Sequence, residues 1–166
     1  MTGAGPRHPL AKVHDLDSAV NWRKGIRGRV VFTNGVFDLL HPGHVDVLLG
    51  ARECGDALIV AVNDDASVRR LKGPERPVRS ERDRAYVLAG LESVDCVVLF
   101  SEYTPLETIR ALRPDVLVKG GDYDESTIVG APDVRSWGGD VRVIPLTPHQ
   151  STTHIIQTLR GSSNAR

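Results

Sequence analysis

The sequence predicts an α/β fold, one parallel sheet of about five strands with helices on both faces. Three observations predict it. Short uninterrupted apolar runs recur along the chain, as strands covered on both faces require. Stretches with helical spacing fill the gaps between those runs. And Thr33-Asn34-Gly35-Val36-Phe37-Asp38-Leu39-Leu40-His41-Pro42-Gly43-His44 places a glycine turn and two histidines where a strand hands over to a helix. That is the carboxyl end of the strand, where open α/β sheets bind ligands.

Each element has its own signal. An opening helix over 17 to 24 stops at Gly25, a helix-ending residue type. Arg29-Val30-Val31-Phe32-Thr33 has the β-branched density of a buried strand, set at 29 to 33. Val45 to Ala51 has helical spacing with Gly50 as its one breaker. Further strands are expected at 57 to 62, 95 to 100, 115 to 118 and 141 to 146. Thr104-Pro105-Leu106-Glu107 reads as a helix start, with a capping threonine, proline at the first helical position and a reciprocal glutamate. Ser80-Glu81-Arg82-Asp83 is a weaker version. The last strand runs into Thr147-Pro148-His149-Gln150, and Ser151-Thr152-Thr153 then starts a helix whose Ile155, Ile156 and Leu159 recur at helical spacing. Residues 1–9 and 161–166 are expected to fray. With no repeat and no long linker, residues 1–166 read as a single Rossmann-like domain with an ordered core from about 10 to 160.

Composition agrees with one small globular enzyme: 166 residues, 40% hydrophobic and 25% charged. The 21 basic side chains match the 21 acidic ones, so no bulk field favours nucleic acid or an anionic membrane as partner, and phosphate binding has to be local. Cys54 and Cys96 fall at a predicted helix end and in a predicted strand, which reads as reduced core residues. No apolar run of about 18 residues exists, and the start of the chain lacks the apolar core of a signal peptide. A cytoplasmic location is expected.

His41 and His44 are three apart and share one face of a first helical turn, beside its unpaired backbone N–H groups. Two imidazoles, a helix dipole and main-chain donors suit a polyphosphate whose charge must be stabilised during transfer. The same pair, taken alone, also fits surface polar residues. Metal ligation is disfavoured, because H-E-x-x-H spacing is absent and both cysteines are isolated. No protein metal site is assigned. G-x-G-x-x-G does not follow the first strand and no P-loop appears, which speaks against a dinucleotide-dependent dehydrogenase.

The segment from Thr33 to His44 resembles the signature of the nucleotidyltransferase superfamily that carries an H-x-G-H motif. Downstream, Asn63-Asp64-Asp65, Leu71-Lys72-Gly73, Arg76-Pro77-Val78, Arg84, Leu117-Val118-Lys119-Gly120-Gly121-Asp122-Tyr123 and Ser151-Thr152-Thr153-His154-Ile155-Ile156 follow in the order and spacing of one branch, the D-glycero-β-D-manno-heptose 1-phosphate adenylyltransferases. The resemblance implies magnesium-dependent transfer of AMP from ATP to a sugar 1-phosphate, with release of pyrophosphate and no covalent enzyme intermediate. Catalysis would then be positioning and charge stabilisation. His41, His44 and Lys72 are the implied catalytic residues. Thr33, Asn34, Gly35, Phe37, Lys119, Gly120, Gly121, Asp122, Ser151, Thr152 and Thr153 are expected to join the histidines in holding the nucleotide. Asp38, Asp65, Lys72 and Arg84 are expected to meet the substrate, Asp38 orienting a magnesium-bound phosphate or a histidine. A homodimer is the candidate assembly.

Two departures bear on substrate. Related cytidylyltransferases carry arginine and glycine just ahead of the S-T-T segment, where this chain has His149 and Gln150, which weakens a cytidylyl reading. Heptose enzymes are often fused to a sugar kinase, for which 166 residues leave no room, so a stand-alone form is expected. The alternatives are a cytidylyl- or flavin-type transferase on the same scaffold, and a nucleotide-binding regulator without catalysis.

Overall fold

The computed structural model describes residues 7–148 and 151–163. A short 3-10 turn, Pro9–Lys12, leads into β1 (Val13–His14) and α1 (Leu16–Gly25). Then follow β2 (Val30–Gly35), α2 (Pro42–Arg52), β3 (Ala57–Asn63), α3 (Asp65–Lys72), α4 (Glu81–Ala89), β4 (Cys96–Phe100), α5 (Leu106–Leu112), β5 (Val116–Gly120), α6 (Ala131–Ser136), β6 (Asp140–Ile144) and α7 (Thr152–Ser163). All pairings are parallel, in the order β1-β4-β3-β2-β5-β6. The fold is an α/β, Rossmann-like sheet, with six strands where five were expected.

Alternation within the strands explains why each reads as an unbroken apolar run. Val30, Phe32, Ile59, Val98 and Leu117 face one core together with Ala19, Ile109 and Val134 from helices. Val31, Leu58, Val60, Val97 and Val118 face the other, against Leu48 of α2 and Leu88 of α4. Both faces are dry, so neither half of the two-residue period is polar.

The sixth strand is β1, whose pairing of Val13 with Val97 and His14 with Val98 is too short to leave a periodic signal. Lys12 ties its approach down by donating from Nζ to the carbonyls of Leu91 and Val94 at 3.2 and 2.8 Å. Pro9 and residues 161–163 belong to helical turns. Asp15 caps α1 and Ser80 caps α4. The expected Thr104 cap is absent: α5 begins behind Pro105, with no side-chain hydrogen bond at its start. Cys54 and Cys96 are free thiols, and burial raises the Cys96 pKa to about 12. Among the described residues no helix is long and apolar enough to cross a membrane.

Candidate active site

The carboxyl end of β2 and the start of α2 build the centre of the site. Phe37 sits in the left-handed region at φ 48, which a non-glycine residue adopts only when its surroundings hold it there. Its ring lies over Gly35, where a Cβ would come within 2.9 Å of the Phe37 ring, and meets the His44 ring edge-on at 5.2 Å. Gly35 is therefore a steric requirement of the turn. His41 occupies the N-cap position of α2 with an extended backbone and no capping hydrogen bond, so its imidazole remains available.

The two imidazoles stack, with centroids 3.8 Å apart and planes at 23°. The Nδ1 atoms of both are buried and have no hydrogen-bond partner among the described residues. Burial lowers the His41 pKa. Burial and the neighbouring His41 push His44 down to about 4, against an opposing hydrogen bond at Leu39. Two rings this close cannot both carry a proton at neutrality without repulsion. The pair is neutral, with both Nδ1 atoms buried and unpaired behind rings that line the cavity.

These rings line a cavity of about 350 Å³. Its wall brings together Thr33, Asn34, Gly35, Phe37, Asp38, His41, His44, Lys72, Lys119, Gly120, Ser151, Thr152 and Thr153, all expected site residues. Lys72 and Lys119 have no acidic partner among the described residues, and burial lowers the Lys119 pKa. Such cations suit a bound polyanion, which for the partly buried Lys119 would replace lost water. At α7 the hydroxyls divide their roles. Ser151 Oγ accepts from the His154 amide at 3.1 Å and acts as the cap. Thr152 donates from Oγ1 to the Leu39 carbonyl at 3.3 Å, tying α7 to the histidine loop.

Four expected residues are placed elsewhere. Gly121 and Asp122 are not on the wall; Gly121 supplies a φ of +134 beside the Tyr123 ring, while Gly120 leaves room for Val47 of α2, whose methyls a Cβ would meet at 2.8–2.9 Å. Arg84, expected to meet the substrate, has a fully buried side chain. It donates to the carbonyls of Arg79 and Val36 and to Asp65 at 3.0, 2.7 and 2.8 Å. Arg84 and Asp65 thus hold each other and brace two loops away from the wall. His149 and Gln150 lie outside the described residues.

Asp38 is on the wall, but its carboxylate has zero side-chain exposure. It accepts from Arg76 Nε at 2.7 Å and from the amides of Val78 and Arg79 at 2.9 Å. Despite burial, these donors hold its pKa below the ordinary carboxylate value. It is the only carboxylate among the described wall residues, and its lone pairs are spent on the loop that carries Arg76 and follows Lys72 at the end of α3. The residues present therefore do not form a protein-held magnesium site. Among the described residues no group of three or more His, Cys, Asp or Glu is placed to hold a metal. Arg76, Tyr123, Leu146 and Thr147 also line the cavity and were not singled out as site residues. Arg76 had a signal, since it shares the basic loop of Lys72; Thr147, bonded to Asp46 across 101 positions, had none.

A family model described as cytidylyltransferase-like matches residues 32–158. The chain belongs to the cytidylyltransferase-like family. It is a nucleotidyltransferase by family, and the matched span runs from β2 into α7, enclosing every wall element described above. Among curated relatives, the bifunctional protein HldE of Methylobacillus flagellatus is 55% identical over 152 residues, covering 89% of this chain and 31% of that protein. The bifunctional protein HldE of Pseudomonas syringae pv. syringae is 54% identical over 157 residues, covering 95% and 33%. The chain thus spans about a third of the length of these relatives. A lipopolysaccharide core biosynthesis protein from Thermoplasma volcanium has a similar structure, with a TM-score of 0.60, 28% identity, and coverage of 74% of this chain and 99% of that one. A pantoate-beta-alanine ligase from Francisella tularensis shares the fold alone, at a TM-score of 0.58 and 14% identity over 89% of this chain and 76% of that one.

Proposed function

We propose that this chain transfers AMP from ATP to D-glycero-β-D-manno-heptose 1-phosphate, giving ADP-heptose and pyrophosphate. The observation that carries the reading is the neutral, stacked histidine pair on the wall of a cavity that also carries Lys72 and Lys119. The choice of acceptor rests on the identity to the HldE proteins and on the sequence resemblance to heptose adenylyltransferases.

A phosphate oxygen of the acceptor attacks the α-phosphorus in line; the bond to the bridging oxygen breaks, and its electron pair leaves with pyrophosphate. His41 and His44 donate hydrogen bonds to the phosphates as charge builds, and neutral rings do so without drawing in a competing anion. Lys72 and Lys119 offset the charge of acceptor and nucleotide, and the start of α7 faces the outer phosphates. Bound to the triphosphate, magnesium would neutralise part of its charge, as suits an ion that prefers phosphates and water. ATP and a sugar 1-phosphate are the partners of this site; nucleic acid and membrane have no role in it.

Pyrophosphate release tests the reading, with ATP or CTP offered against heptose 1-phosphate, glycerol 3-phosphate or flavin mononucleotide, with and without magnesium. Turnover is expected with ATP and heptose 1-phosphate, and only with magnesium. Preference for CTP or for flavin mononucleotide would replace the reading by another transferase on this scaffold.

A further inference from the structure

A second cavity, of about 470 Å³, opens over the carboxyl ends of β3 and β4, at Asn63 and Phe100. It shares Asn34, Gly35, Val36, Lys72, Lys119 and Tyr123 with the first. The two cavities therefore meet at a wall that carries both unpaired lysines.

Asn63, the last residue of β3, is only 5% exposed. Its carboxamide faces this cavity and makes no hydrogen bond among the described residues. With two donors and an acceptor free of protein partners, the amide is open to a ligand that enters the cavity. Asn34 offers a second unpaired carboxamide on the shared wall. On the rim stand Tyr103, 73% exposed, and Tyr123, 50% exposed, with Lys119 Nζ 5.8 Å from the centre of the Tyr123 ring.

We propose that this second chamber is the acceptor subsite, where Asn63 reads the hydroxyls of a sugar ring whose 1-phosphate lies against Lys72 and Lys119. The inference rests on the nucleotidyl-transfer reading above. Hydroxyls both donate and accept, and so do carboxamides, which makes them matched partners. The exposed tyrosines give the apolar C–H face of a sugar ring a surface to cover. The phosphate then lies at the junction, where it reaches the α-phosphorus of a nucleotide held beside the histidines.

Steady-state kinetics with ATP and heptose 1-phosphate read the proposal through Asn63→Ala and Tyr103→Ala. Each variant is expected to raise the acceptor KM about tenfold or more, with the ATP KM within about twofold. Tyr103 is at the surface, so its variant carries the test if Asn63→Ala does not fold. An unchanged acceptor KM in Tyr103→Ala and in any folded Asn63→Ala overturns the subsite. If the wild-type chain turns over none of the acceptors, the proposed reaction fails, and amide chemical shifts decide the subsite alone. Titration with mannose 1-phosphate is then expected to shift Asn63, Tyr103 and Val129, which also lines the second chamber. Shifts confined to residues 41–44 and 151–153, no shifts at all, or the same three residues responding to a non-hydrolysable ATP analogue instead of the sugar phosphate, overturn it.

Discussion

His44 carries two separable consequences of its surroundings. Its ring is braced by Phe37 and stacked on His41, so His44→Ala removes a preorganised donor without opening the main core. Turnover is expected to fall by roughly 10² to 10³, the cost of losing one such donor, while the thermal melt stays close to wild type. The second consequence is linkage. The folded pKa of about 4 lies below the ordinary 6.5, so between those values the unfolded chain binds the extra proton. Stability supplied by the neutral ring is complete above pH 6.5 and is lost as pH falls toward 4. The melting temperature of wild type is therefore expected to drop more steeply over that range than that of His44→Gln, whose side chain does not titrate. Parallel melting curves for the two proteins would contradict the buried, neutral pair.

The loop between α3 and α4 is held by buried charge rather than by its own turns. Asp38 gathers Arg76 and two amides, and Arg84 gathers Val36, Arg79 and Asp65. Asp38→Asn is expected to cost about 3 kcal/mol in urea unfolding, the scale of breaking a buried ion pair, and to raise the KM for both substrates by loosening Lys72. A cost below about 1 kcal/mol would show that the loop is held by something else. At α7, Ser151→Ala is expected to lose about 1 kcal/mol as a cap. Thr152→Val, which cuts the link to Leu39, is expected to lower kcat/KM for ATP more than stability, as measured by kinetics beside a melt. Local signals read well at this scale: the Ser80 cap and the end of α1 at Gly25 follow from short-range chemistry. Thr104 does not cap α5, and Arg84 is buried because tertiary partners hold it. A charged residue among Glu81, Arg82 and Asp83 has no periodic mark of burial, since what buries it are carbonyls 5 and 48 positions away.

Across the molecule, the sheet was legible because its strands are dry on both faces, and dryness writes itself as continuous Val, Ile and Leu. The edge pairing of Val13 and His14 with β4 left too few residues to write anything. The histidine pair and the start of α7 were legible through glycine, proline and hydroxyl chemistry at strand ends, whereas the second chamber depends on Asn63 at the end of β3 converging with Tyr103 and Tyr123 from two separate connections. In the proposed reaction nucleotide and acceptor occupy the two adjoining cavities with the lysines between them, which makes the α-phosphorus the transferred atom. The direct measurement is product analysis with ATP labelled separately at the α- and γ-phosphates, in the presence of magnesium and heptose 1-phosphate. The account predicts the α label in a sugar nucleotide and the γ label in pyrophosphate, in equal amounts. A γ label in the sugar product, or release of inorganic phosphate in place of pyrophosphate, would contradict it.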